Sequence, residues 1–194
     1  MSELDLVSAC VKNEETAKKQ FFDLYYPTLG YVALRYSKNK AQADDCTLEG
    51  FKNVYSKLAN FKNQQKLNIE AYVKHEFILS LVNYIKNIRN EYYVASTVKA
   101  VETSDHTYDL FKDSKFVDLR TTSQEVLLYS IQELVPSQRL AFNLSVIDGY
   151  SLLELSELLE TSEQTIKSNI EKAKFNLQKT IEKKLKHSNY GQSI

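Results

Sequence analysis

The chain has 194 residues, 43% of them hydrophobic and 26% charged, which allows one large domain or two small ones around a real core. Four glycines and two prolines are too few turn residues for a sandwich or barrel, so an all-α fold is expected. Acidic and basic residues balance at 25 each, which excludes a strong non-specific pull toward polyanions.

Two cysteines (Cys10 and Cys46) and three scattered histidines (His75, His106 and His187) exclude a disulfide framework and offer no metal-ligating spacing. The chain has no Gly-x-Gly-x-x-Gly, no Walker-type loop, and no Ser/His/Asp or Cys/His set at a suggestive spacing. Neither an enzyme nor a bound metal or cofactor is expected. No segment resembles a signal peptide, and no apolar run approaches the roughly 18 residues of a membrane span. The expectation is a cytoplasmic protein without membrane insertion.

In chain order, residues 5–12 and 15–37 read as helices. In the second, Ala17, Phe21, Leu24, Tyr25, Leu29, Val32 and Tyr36 recur at three- and four-residue steps. Pro27 interrupts that pattern and predicts a bend or a split. Residues 41–60 form another amphipathic helix through Ala43, Leu48, Phe51, Val54, Tyr55 and Leu58. The polar stretch 60–68 is a loop. Residues 69–92 return to helix, with Val73, Phe77, Leu81, Ile85, Ile88 and Tyr92 on one stripe. From 95 to 122 no period is sustained, which predicts a linker, with a short helix near 109–119.

Beyond the linker, residues 124–134 predict a helix. Pro136 opens the next as a first-turn proline, and Gly149 ends it in the left-handed position. Ser151 and Glu154 form a capping box ahead of Leu152, Leu155, Leu158 and Leu159. This short helix breaks at Glu160–Thr161, and Ser162 caps another with Thr165, Ile166, Ile170, Ala173, Leu177 and Ile181 on its apolar side. Two helices with so tight a break fit a helix-turn-helix. Seven lysines (167, 172, 174, 179, 183, 184 and 186) against two glutamates give the last helix a positive strip. Phosphate contacts need such a strip, and base readout needs exposed polar groups near the helix start. The alternative is an amphipathic helix with a solvated lysine face.

The motif in residues 134–177 resembles region 4 of the extracytoplasmic-function (ECF) sigma factors of bacterial RNA polymerase. Pro136, Arg139, Gly149, Tyr150, Ser151, Glu154, Thr165, Lys167, Ser168, Lys172, Ala173 and Lys174 stand at matching places. "ADDCTLEGF" (43–51), within residues 21–61, resembles the family's regions 2.1 and 2.2, and residues 69–87 resemble regions 2.3 and 2.4. The resemblance implies two small helical domains. Residues 1–94 would be sigma region 2, 95–122 the linker, 123–187 sigma region 4, and 188–194 a tail. It implies a subunit that binds core polymerase, at its clamp helices and flap, and directs promoter-specific initiation. Asp45, Glu49, Lys52 and Tyr55 would contact the polymerase. Lys66, Tyr72, Lys74, His75, Tyr84, Lys86 and Arg89 would open and hold the −10 element. Ser162, Gln164, Thr165, Lys167, Ser168, Asn169 and Lys172 would read the −35 element as duplex. The resemblance thus implies promoter DNA as a partner and leaves room for an anti-sigma factor as a further one.

The chain departs from the family pattern at Leu48 (usually Gln), Tyr72 (usually Trp), Leu79 (Asn), Asn83 (Asp) and Asn169 (Arg). Losing donors weakens phosphate and base contacts. Two other readings therefore stand beside the first: a degenerate sigma-like regulator that binds polymerase or an anti-sigma factor without efficient opening, and a stand-alone helix-turn-helix regulator.

Overall fold

A computed structural model describes residues 2–61, 68–87 and 122–190. Lys66, Arg89, the end of the predicted 69–92 helix and the helix expected near 109–119 lie outside them. The described residues are helical, with no strand among them. The chain divides into two compact units, Met1–Ile88 and Arg89–Ile194.

The first unit holds α1 (Glu3–Val11), α2 (Glu15–Tyr36), α3 (Lys40–Phe61) and α4 (Ile69–Asn87). A capping box starts α1. Ser2 Oγ accepts from the Asp5 N–H at 3.2 Å, and the Asp5 carboxylate accepts from the Ser2 N–H at 3.1 Å. Contrary to the sequence expectation, α2 runs unbroken through Pro27. The proline removes one backbone donor, but it sits with Asp23, the residue four before it, on the exposed face, where water can serve the orphaned carbonyl. Tyr25, Leu29 and Val32 are buried on the opposite face and hold the two turns on either side of the site to the core.

α3 and α4 make the tightest crossing and set the geometry of the candidate surface. They run antiparallel. Asn53 Nδ2 donates to the Glu76 carbonyl at 2.9 Å, and the Tyr72 hydroxyl donates to the Lys57 carbonyl at 2.8 Å. Gly50 makes this closeness possible. A Cβ there would lie 2.3 Å from the Phe77 ring. Phe77 in turn meets Phe51 edge-on at 5.7 Å between ring centres. Cys10 and Cys46 are buried free thiols.

The second unit holds α5 (Gln124–Gln132), α6 (Pro136–Phe142), α7 (Leu152–Leu159) and α8 (Glu163–Tyr190). α6 continues as a single π turn, Asn143–Ile147, before Gly149 stops it at φ +77°. Arg139 is 2% exposed, which is rare for its residue type. Its Nη1 donates to the carbonyls of Gln132 (2.9 Å) and Leu134 (2.7 Å), closing the open end of α5. The arginine of the family motif is therefore a structural residue in this fold. α8 packs on α5, α6 and α7, with Ile131, Leu134, Ala173 and Leu177 at the centre and Leu127 and Phe142 against them.

Candidate nucleic-acid and protein interfaces

The helix-turn-helix forms as the sequence predicts. Ser151 and Glu154 cap α7 reciprocally, at 2.7 Å and 3.3 Å. Leu155 and Leu159 are buried, whereas Leu158, expected in the core, is only half-buried. With no glycine at the break, Glu160 adopts the left-handed conformation itself (φ 52°, ψ 45°). That costs roughly 1–2 kcal/mol for a residue with a Cβ. The Thr161 N–H then donates to the Ser156 carbonyl at 3.1 Å.

Ser162 caps α8. Its Oγ accepts from the Thr165 N–H at 3.2 Å and lies 2.9 Å from the Thr165 hydroxyl. Ile166, Ile170, Ala173, Leu177 and Ile181 are buried. That stripe turns Gln164, Thr165 and Lys167 outward at the helix start, with Ser168, Asn169 and Lys172 half-buried beside them. Gln164 and Lys167 are thus polar groups presented where a helix enters a groove. Ser162 and Thr165 also lie there, but their hydroxyls are engaged in the cap.

The lysine strip is less uniform than it reads. Lys179, Lys183 and Lys184 are exposed. Lys184 Nζ stands 3.8 Å from the centre of the Tyr129 ring, so it also fastens α8 to α5. Phe175 interrupts the strip with an exposed aromatic side chain.

On the first unit, α3 presents Asp44, Asp45, Leu48, Glu49 and Lys52 to solvent. Lys40 pairs with Asp44 at 3.0 Å, and Lys52 with Glu49 at 2.6 Å. Tyr55 does not belong to this exposed set. Its hydroxyl donates to the Lys18 carbonyl at 2.9 Å and its ring packs on Phe21 and Phe51, because the helical period turns it toward α2. Burial pushes its phenol up to about 12.

Tyr72 needs a larger correction. It is 1% exposed, packed on Phe61, with its hydroxyl bound to the Lys57 carbonyl. A base can stack only on an exposed ring face, so Tyr72 is a core residue here. Tyr84 is half-buried and remains available. Its hydroxyl faces Asp45 Oδ2 at 3.5 Å, and burial, followed by the Asp45 charge, raises its pKa. His75 is exposed, and Lys74 and Lys86 are half-buried. The structure therefore brings Asp45 and Tyr84 side by side, although the sequence assigns them to different partners. No signal in a single sequence marks that pairing. Also unmarked is a cleft of about 270 Å³ between α2 and α3, lined by Tyr26, Tyr31, Lys40, Asp44 and Thr47 among others.

Among the described residues, no group of three or more His, Cys, Asp or Glu is placed to hold a metal ion, and no helix is long and apolar enough to cross a membrane.

Comparison with known proteins follows the same division. Residues 124–176 match the family model "Sigma-70, region 4". No curated protein matches the chain at a significant level. Among solved structures, the fold is similar to that of the sigma factor RpoE from Bartonella quintana, solved in complex with the anti-sigma factor NepR. The TM-score is 0.50 at 18% identity, covering 84% of this chain and 96% of that one. Residues 124–176 thus match sigma-70 region 4, and the helical fold of the chain is similar to that of RpoE.

Proposed function

We propose that the chain is a dissociable specificity subunit of bacterial RNA polymerase that directs initiation at promoters with −10 and −35 elements. The observation that carries this is the start of α8. A capped helix after a tight left-handed turn buries Ile166 and Ile170 and turns Gln164 and Lys167 outward. That is the arrangement duplex readout requires. Gln164 is suited to a bidentate contact with an adenine edge, and Lys167 and Lys172 to phosphates. The α3 face with Asp45, Glu49 and Lys52 is assigned to core polymerase. Of α4, His75, Tyr84, Lys74 and Lys86 are assigned to the opened −10 strand, joined by Lys66 and Arg89. An anti-sigma factor as a partner is supported by the complex in which RpoE was solved.

A second reading has a specific observation in its favour. With Tyr72 in the core and Leu79 half-buried in place of a polar residue, α4 offers fewer groups to a separated strand. That favours a sigma-like regulator that binds polymerase and opens promoters poorly. Run-off transcription with core polymerase of the same organism, on its genomic fragments, separates the two. Discrete start sites dependent on this protein establish the first. Core binding without transcripts establishes the second, and no core binding removes both.

A further inference from the structure

The outward side of α8 carries a row of side chains that the capping pattern does not mark. Beyond the cap at Ser162 and Thr165, the exposed residues up to Leu177 are Lys167, Glu171 and Phe175. They follow Gln164 at steps of three, four and four, so all project from one side, away from the buried Ile166 and Ile170. Glu171 is the one acid among them. Lys167, Lys172 and Lys174 surround it in the sequence. Yet no described residue gives it a hydrogen bond or an ion pair, and Lys167, one turn before it, has none either. Lysine ahead of glutamate is the weaker order for a helical pair. The carboxylate is therefore not committed within the chain.

A carboxylate on this row has few ways to meet a duplex. Phosphates repel it, and it can only accept hydrogen bonds. The donors that a major groove displays are the amino groups of cytosine and adenine. Adenine's amino group has an acceptor on each side, its own N7 and the O4 of the paired thymine, and both repel a carboxylate. Cytosine's amino group has an acceptor on one side only, the O6 of the paired guanine. Cytosine is therefore the base that a lone carboxylate tolerates best.

We infer that Glu171 is a specificity-determining residue, which accepts a hydrogen bond from the N4 amino group of a cytosine in the −35 duplex. This rests on the proposed entry of α8 into that major groove. Gln164 and Glu171 are seven residues apart, which is about 10 Å along an axis that rises ~1.5 Å per residue. At ~3.4 Å per base pair, the cytosine lies roughly three base pairs from the pair that Gln164 reads.

In the test, holoenzyme made from the full chain and purified core polymerase of the same organism selects from a pool of linear duplexes of random sequence. The bound fraction is sequenced. The proteins are wild type, Glu171→Gln, Glu171→Ala and Gln164→Ala. Glu171 and Gln164 are exposed, so the variants fold. Wild type is expected to enrich a cytosine, and changing that base pair in a selected duplex should weaken binding about tenfold to a hundredfold. Glu171→Gln should move the preference at that position to adenine, whose N6 and N7 a glutamine meets bidentately. Glu171→Ala should erase the preference there and keep the others, with binding to unselected duplex equal or tighter because a negative charge is gone. If both Glu171 variants enrich the wild-type sequence while Gln164→Ala changes it, the inference is overturned and reading by α8 stands. A base other than cytosine at the position that Glu171 controls also overturns it. If nothing is enriched, or all four proteins enrich the same sequence, the reading of duplex by α8 falls with it.

Discussion

The Tyr84 hydroxyl lies 3.5 Å from the Asp45 carboxylate, across the antiparallel crossing of α3 and α4. A residue assigned to separated DNA and one assigned to the polymerase thus share one seam. The separation is at the long limit for a hydrogen bond, so the link itself contributes little and the ring is the useful part. Tyr84→Phe is expected to change stability by less than about 0.5 kcal/mol and to keep single-strand binding. Tyr84→Ala is expected to weaken it by roughly 1–3 kcal/mol, the worth of one stacked base. Anisotropy of a labelled −10 oligonucleotide with the reconstituted holoenzyme measures both. Equal losses in the two variants would show that the hydroxyl, not the ring, matters.

The Gly50 contact with Phe77 is a second sharp relationship. A methyl at Gly50 would lie 2.3 Å from the ring, inside any allowed approach. Alanine favours a helix by about 1 kcal/mol over glycine. Overpacking costs about 1–3 kcal/mol. Gly50→Ala is therefore expected to lower stability in spite of propensity. Phe77→Leu should recover part of that loss when combined with it, although it weakens the core alone. Denaturant melts of the four proteins give the coupling energy, and additive effects would refute the contact.

The helix-turn-helix assignment separates two kinds of contact. Lys167→Ala is expected to weaken binding to all −35 sequences alike and to reduce the slope of affinity against salt by about 0.9 on logarithmic axes. Gln164→Ala should leave the slope unchanged and relax preference at one base pair, by about 1–3 kcal/mol. Titrations of holoenzyme on a small set of −35 variants at several salt concentrations distinguish these outcomes.

Alkaline pH tests the packing of the first unit. Burial pushes Tyr25 and Tyr55 up to about 12 from an ordinary value of 10.0. Between those values the folded chain holds protons that the unfolded chain has released. Stability therefore falls as pH rises from about 10 toward about 12, and is unaffected by these groups below 10. Tyr25→Phe should flatten that fall, measured as denaturant midpoints across the range. An unchanged slope would show that the Tyr25 phenol is not held neutral.

The helix-turn-helix was legible because its signals are local. Ser151 with Glu154, and Ser162 ahead of an apolar stripe, specify two starts by backbone hydrogen bonding within a few residues. Pro27 misled for a complementary reason. A proline signals a lost donor, but whether that breaks a helix depends on which face it occupies and on what holds the other face down. Here Tyr25, Leu29 and Val32 decide it.

The scarcity of glycine and proline pointed to the all-α class, and hydrophobic spacing determined the order of the helices and the outward turn of Gln164 and Lys167, since a 3.6-residue period fixes faces before any packing occurs. Tertiary packing alone decided which aromatic rings are spent in the core. Tyr72 and Tyr84 look alike in sequence, and only the α3–α4 crossing buries the first against Phe61 and leaves the second beside Asp45. The same crossing makes Gly50 indispensable. Partners that distant in the chain are set by how two helices meet, and a one-dimensional pattern carries no record of that.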